Sequence, residues 1–498
     1  MFSLAQGLLS LEVPAAEEPE DLLQDDVMIT RMVSEIRKIA WIGLLLLAAC
    51  SAAGRPAAPM VADDGHLSIF LQPLPQEVGR LSFRIAALDV LRSDGEAIPL
   101  SLNEALFNQR LVGVQKRLAH LDLPPGQYRG VALSVEAATV SGSEGPVELV
   151  PPPESLIVDF PFTIRKGQSE TLFLSLAATQ LVSDGTLFTP SFSLWQAERP
   201  LTGLTGFVSN SGSGSLTVFN KRSVLVTSEL GVGARPMSLA LDQQRDRLYV
   251  ALTGDDRILA LDVNSGTILG HVPLRFGDRP EKLILIAEGK ILLSLNPGSD
   301  SLSLIDTSAL FENQRVLFDS EADGLFVSDD ETLAYVLHRE TSALTLVNLE
   351  TPERQTRVAL EELPQDGVAA ADGLRLFLIN AYSGNLSVLA AGNLNVTAQI
   401  YIGSGASCLK YDDHSGLVYV GKENGEIAVV DPRSLMAIDH FFLDGMISNL
   451  TIDNEENALF AVLPEQNQLV KIDLVSKHKL GRLELETGAN AVVVMGQR

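Results

Sequence analysis

The sequence predicts an all-β protein, a β-sandwich followed by a seven-bladed β-propeller. Three observations predict it. A five-residue apolar strand recurs at 216–220 (LTVFN), 259–263, 302–306, 344–348, 386–390, 427–431 and 469–473, at intervals of 43, 43, 42, 42, 41 and 42 residues. A repeat of that length, built of apolar alternation and turns with no helical phase, is the signature of propeller blades. An isolated apolar strand at 489–495 follows the last full repeat, while the first repeat, starting near Thr205, lacks an obvious innermost strand. Residues 66–198 carry short alternating strands punctuated by Pro and Gly, which fits two packed sheets.

The chain has 498 residues, more than one ordinary domain, and 46% of them are hydrophobic, enough for two or more packed cores. Its 37 Lys+Arg against 63 Asp+Glu leave a net charge of −26. That sign argues against nucleic acid, whose phosphates are bound by cationic side chains, and against electrostatic adhesion to anionic lipid. Acidity that only keeps an exported protein soluble is the plainer reading.

At the N-terminus, Arg37 and Lys38 precede the apolar run 39–47 and then Leu47, Ala48, Ala49, Cys50 and Ser51. A basic segment, a short apolar segment and small residues at the cut are the parts of a secretory signal, and the run is too short to span a bilayer. Leu-Ala-Ala-Cys resembles the lipobox of bacterial lipoproteins, which implies a signal peptide at 28–49, lipidation of Cys50 and a membrane partner reached through that anchor. By the same resemblance Ser51 favours the outer membrane, facing the periplasm or the surface. Residues 1–27 are acidic, opposing a signal's positive start, and read as a non-native or misassigned extension ahead of Met28 or Met32. Residues 50–65 read as a flexible tether. With Cys50 acylated, Cys408 stands alone in an apolar strand pattern and reads as a small core residue.

In the sandwich, 66–198, strands are expected at 66–71, 81–90, 128–140, 156–164 and 170–176, with a short helix hinted at 103–112. Pro151, Pro152 and Pro153 read as a stiff spacer between strands. The stretch 191–200, with Trp195, should end this unit, the tryptophan serving as a core or interdomain plug in preference to a glycan platform. Leu123-Pro124-Pro125-Gly126-Gln127-Tyr128 and Phe162-Thr163-Ile164-Arg165-Lys166-Gly167 resemble a prealbumin-like domain of uncharacterised function near the N-terminus of bacterial lipoproteins. That resemblance implies a fold and a surface location, not an activity.

In the propeller, 201–498, each repeat reads as four strands. The second runs through 238–241, 247–252, 258–263 and 267–274, with turns at Asp, Gly and Asn between them. Pairing 489–495 with the first repeat completes a seventh blade and removes open edges. Arg247-Leu248-Tyr249-Val250-Ala251 and Leu417-Val418-Tyr419-Val420-Gly421 resemble the YVTN family of surface-associated propeller repeats. Gly233-Ala234-Arg235-Pro236 and Gly277-Asp278-Arg279-Pro280 match the glycine and proline that open such repeats.

Little chemistry is written in the sequence. None of the seven histidines pairs with another at local metal-ligand spacing, so no metal and no cofactor is expected. The segments 412–416 (DDHSG) and 453–457 (DNEEN) suggest calcium loops superficially, but fall where the first two strands of a blade turn and read as hairpin turns. No nucleophile elbow, Walker loop or dinucleotide fingerprint occurs. If a site exists, geometry places it where loops between blades and second-to-third-strand turns gather. The candidates are Arg235, Arg279, Asp255, Asp256, His338, Arg339, Glu340, Lys422 and Glu423, whose mixed charge suits peptide or polysaccharide. For any one of them, a solvated turn residue is the plainer reading. The expected function is a lipid-anchored, non-enzymatic binding scaffold of the bacterial envelope, its partner an envelope protein or cell-wall polymer. A lactonase- or quinoprotein-like propeller enzyme is the alternative, needing carboxylates, Asn or His at the channel mouth; a purely structural envelope component is a third.

Overall fold

A computed structural model describes residues 64–142, 145–198 and 201–497. The expected extension, the signal peptide, Cys50 and nearly all of the tether lie outside the described residues. Among the described residues no helix is long and apolar enough to cross a membrane.

The first unit is a sandwich of two sheets. A four-stranded sheet orders Phe192–Trp195, Ser169–Leu176, Gly65–Leu71 and Lys116–Leu123; a six-stranded one is built on Leu81–Arg92 and Gly126–Gly142. Gly65–Leu71 pairs antiparallel with Lys116–Leu123 and parallel with Ser169–Leu176. Leu67, Ile69, Leu172 and Leu174 point into the sandwich core with Phe83, Ile85, Leu133 and Phe162. The alternate positions Phe70 and Phe173 point the other way, into a separate core shared with later sheets. The middle of the four-stranded sheet is therefore buried on both faces, as the period of two allows.

The helix expected at 103–112 does not form. Leu106–Phe107 is a short strand pairing with Phe83 and Arg84, and only Gln109–Leu111 makes a 3-10 turn, capped by the Asn108 side chain. Phe107 is fully buried with its ring 5.0 Å from that of Phe83, so the core draws this segment along the sheet. Lys116–Leu123, the strand the sequence reading passed over, has Leu118, Ala119 and Leu123 in the sandwich core, and charged residues elsewhere mask its alternation.

Seven four-stranded antiparallel sheets follow, consistent with propeller blades. Sheets 2 to 7 each take four consecutive strands, with first strands Pro236–Asp242, Lys282–Ile286, Gly324–Val327, Pro364–Ala369, Ala406–Asp412 and Asn449–Asp453. Sheet 1 combines Thr205–Asn210, Ser215–Asn220 and Leu225–Gly231 with the C-terminal strand Ala489–Val494, paired Gly206↔Val494 through Asn210↔Ala489. The first strand of each sheet lies beside that of the next, and Ala489–Val494 lies beside both Pro236–Asp242 and Asn449–Asp453.

The second strands are buried on both sides, which is why they read as unbroken apolar runs. In Arg247–Leu252, Leu248, Val250 and Leu252 enter the core against sheet 1, and Tyr249 and Ala251 the core against sheet 3. Among the described residues, seven such apolar cores separate neighbouring sheets; the one between sheets 7 and 1 gathers Phe460, Val462 and Leu469 with Val208, Phe219 and Val492. The aspartates ending many strands close the turns that follow: Asp306 Oδ1 accepts the N–H of Ser308 and Ala309 at 2.8 and 2.9 Å, and Asp473 Oδ1 those of Val475 and Ser476 at 3.0 and 2.6 Å.

The sandwich seals the outer edge of sheet 1. The buried Gln115 amide accepts from Val226 N–H at 2.8 Å and donates to its carbonyl at 3.2 Å, standing in for a neighbouring strand. Thr171 Oγ1 accepts from Glu229 N–H at 2.9 Å and Ser169 Oγ from Gly231 N–H at 2.8 Å. An edge strand whose backbone groups are occupied in this way is no template for another chain.

Candidate functional site

The nine residues predicted from the loops divide into three groups. Asp255 and Asp256 form the turn between the second and third strands of sheet 2. Asp255 Oδ2 accepts from Ala234 N–H at 3.0 Å and from Arg257 at 2.9 Å; Asp256 accepts from Gly277 and Arg279 N–H at 2.8 and 2.9 Å. Each carboxylate thus holds one inter-sheet loop, and the loop arginines Arg235 and Arg279 take left-handed backbone (φ +53° and +52°) immediately before a proline. These four come together, as a structural bracket.

The second group lies in sheet 4. His338 ends the second strand and is fully buried. Its Nδ1 lies 2.8 Å from the Glu321 carbonyl, which can only accept, so Nδ1 carries the hydrogen and Nε2 accepts from Thr345 Oγ1 at 2.8 Å. Burial lowers its pKa, keeping the ring neutral. His338 is therefore withdrawn from the rim. Arg339 N–H donates to Asp323 Oδ2 at 2.8 Å, and Glu340 is exposed in the turn. In sheet 6, Lys422 is 1% exposed, its ammonium bound to the Ile402 carbonyl and 2.9 Å from Glu426, so it too is withdrawn from solvent; Glu423 beside it is exposed.

A concavity lies at the opposite ends of the first strands. It measures about 740 Å³ and is lined by Gln243, Asp413, His414, Asn454, Glu455, Asn457, Gly496 and Gln497. Gln243 follows the first strand of sheet 2, Asp413 and His414 that of sheet 6, Asn454 to Asn457 that of sheet 7, and Gly496 and Gln497 the C-terminal strand. Four neighbouring sheets thus contribute the same kind of turn. The wall is stitched together: Gln243 donates to the Gln497 carbonyl at 2.7 Å and accepts from Gly496 N–H at 2.7 Å, while Gln497 Oε1 accepts from Thr451 at 3.0 Å. Further along the first strand of sheet 6, desolvation lowers the pKa of Lys410, opposed by Asp413 and Asp366.

The segments 412–416 and 453–457 are turns, as expected: Asp412 Oδ1 accepts from His414 N–H and Asp453 Oδ1 from Glu455 N–H, each at 3.1 Å. They are also the cavity wall, a role the sequence reading did not assign. Aligning the repeats one or two residues past each first strand would have found it, because that register brings Gln243, Asp413, Asn454 and Gly496 to one place.

For metal, among the described residues one group of three or more His, Cys, Asp or Glu donors falls within 4.8 Å of one another, namely His66, His120 and Asp122 on the sandwich. Local spacing had given no such pair; strand pairing brings them together. Cys408, expected as a core residue, is 5% exposed, and burial pushes its thiol up to about 12, so it is inert at neutral pH.

No protein-family model matches the chain, and no curated protein sequence matches it. The YVTN and prealbumin-like resemblances thus rest on the residues quoted for them. Among solved structures, the chain is similar to hydrazine synthase of Kuenenia stuttgartiensis, with a TM-score of 0.45 and 16% identity over 51% of this chain and 88% of that one. It is also similar to the dihydro-heme d1 dehydrogenase NirN, solved in complex with DHE, with a TM-score of 0.48 and 13% identity over 61% of this chain and 77% of that one. At these identities and scores nothing about activity passes to this chain.

Proposed function

We propose that the chain is a lipid-anchored bacterial envelope protein, a non-enzymatic scaffold whose closed seven-bladed β-propeller binds an envelope protein or cell-wall polymer. Closure is supported by the pairing of Ala489–Val494 with Thr205–Asn210 and by the apolar core between sheets 7 and 1. The anchor is supported by the order of basic, apolar and Leu-Ala-Ala-Cys segments ending at Cys50. The observation that carries the binding reading is the 740 Å³ concavity where turns of four sheets converge. Carboxylates, amides and one imidazole offer many hydrogen-bond partners to hydroxyl, amide or ammonium groups, while the net charge of −26 disfavours polyanions.

The test is titration of the folded chain with soluble muropeptides and with basic peptides, alongside cross-linked capture from native envelopes. Asp413→Asn, His414→Ala and Asn454→Ala together should weaken binding about tenfold or more, the equivalent of about 1.4 kcal/mol. Arg235→Ala, Glu340→Ala and Glu423→Ala on the other face should leave it unchanged. The reverse pattern would move the site to the loop face first predicted, and no binding by the unaltered chain would reject the scaffold.

The enzyme reading retains one specific support: Asp413, His414, Asn454 and Glu455 are the residue types a lactonase-like mouth requires, gathered at one mouth. Hydrolysis of aliphatic lactones that is lost in His414→Ala would favour it.

A further inference from the structure

We propose that His66, His120 and Asp122 form a binding site for a divalent transition-metal ion of the zinc type, on the seam between the sandwich and sheet 1. The site is built by register. His66 lies directly opposite Asp122, and Ser68 directly opposite His120, in the antiparallel pair Gly65–Leu71 with Lys116–Leu123. Opposed residues, and residues two apart, share a sheet face, so all four side chains project from the face that also carries Phe70 toward sheet 1.

The donor atoms lie within 4.8 Å of one another, and the two imidazoles are stacked nearly parallel, their planes 11° apart and their centroids separated by 6.2 Å. Bringing two nitrogens and an oxygen to about 2.0–2.2 Å from one ion takes side-chain rotation, which the exposed positions of His120 and Asp122 permit. A supporting contact is already in place: the buried Ser68 hydroxyl lies 3.1 Å from His120 Nδ1, which orients the ring and leaves Nε2 for a metal. His66 Nδ1 contacts the Asp122 carboxylate, the pair of groups an ion would bridge.

Two imidazoles and one carboxylate suit zinc, copper or nickel better than magnesium or calcium, which prefer all-oxygen ligands. Three protein ligands leave a fourth position for water or another donor. The neighbouring edge of sheet 1 is close: a Cβ built on Gly231 would lie 3.1 Å from His66 Cδ2 and 3.3 Å from Ser169 Oγ. An ion held here would therefore stiffen the sandwich face that grips Leu225–Gly231.

The experiment is calorimetric titration of the full chain with Zn²⁺ alone, with Co²⁺ as a visible-absorption probe of the ligands. One equivalent should bind and raise the unfolding temperature. His66→Gln, His120→Gln and Asp122→Asn should each weaken binding tenfold or more and, together, abolish the Co²⁺ absorption. His478→Gln, an exposed histidine elsewhere, should change nothing. Unchanged stoichiometry and affinity in the folded His66→Gln/His120→Gln variant would overturn the proposal, as would failure of the unaltered chain to bind Zn²⁺.

Discussion

Glu229 shows how one residue records its surroundings. It lies in the last strand of sheet 1 against the sandwich, 4% exposed, accepting from Thr217 Oγ1 at 2.8 Å. Burial, reinforced by the Glu486 carboxylate, raises its pKa from 4.5 to about 8. A raised carboxyl pKa means the folded state holds the proton longer than the unfolded chain. The stability this carries is complete below about pH 4.5, declines as pH rises to about 8, and is flat above. Glu229→Gln should therefore match the parent near pH 4 and exceed it by about 4 kcal/mol at pH 8, on the scale of about 1.4 kcal/mol per unit. Urea unfolding at the two pH values checks this; equal stability at pH 8 would show that the carboxyl is ionised at no cost. Such residues also mark where the sequence stops being legible. Aspartates ending strands could be read as turn formers, and they are. Lys422 and His338 read as rim residues because charge and polarity suggest solvent, yet their partners Glu426 and Thr345 sit across hairpins that turn both side chains inward. Nothing in the local sequence tells which way such a residue points.

At the scale of an element, the C-terminal strand matters most. Ala489–Val494 occupies the first position of sheet 1, and an ionic clasp flanks it. The fully buried Lys221 ammonium lies 2.9 Å from the equally buried Asp453 and 3.0 Å from Glu455, and donates to the Met495 carbonyl at 2.5 Å; Lys471 donates to the Lys221 carbonyl at 2.9 Å. One cation thereby ties sheet 1, sheet 7 and the chain's end together. Removing either partner leaves the other charge buried, so Lys221→Met or Asp453→Asn should each cost about 3–5 kcal/mol, while Lys221→Met/Asp453→Leu should cost less than the two single losses combined. A chain ending at Gly488 should bind a hydrophobic dye and aggregate, because Thr205–Asn210 then presents an open edge. A soluble, cooperatively folding truncation would show that the strand is dispensable. This element was legible because an apolar strand after the last repeat matched a missing strand in the first. The clasp was not, since Lys221 and Asp453 are 232 positions apart in sequence and meet only when the sheets do.

For the whole molecule, the decisive feature is that the sandwich and the seven sheets share a core. Phe70 and Phe173 leave the sandwich's own interior to join Phe219, Phe460 and Val492, and the Phe173 ring lies 5.8 Å from Phe70 and 5.2 Å from Trp195. The seam adds the Gln115, Thr171 and Ser169 hydrogen bonds and the ion pairs of Lys116 with Glu484 and Arg117 with Glu486. Sequence composition alone divides the chain near residue 200 into two independent units, because a boundary in pattern is visible and a shared face is not. The physical expectation is the opposite. Burying apolar surface between the units couples their unfolding, so calorimetry should show one transition for both at neutral pH. Phe173→Ala should remove about 3–5 kcal/mol through lost burial and the cavity left behind. It should do more than lower the midpoint: with the central aromatic gone from the seam, the transition should split in two, and protease should cut between the units before either is degraded. Two transitions already present in the unaltered chain would mean that the seam is too weak to couple them, and the sandwich would then be a passenger on the propeller instead of the wall that closes its first sheet.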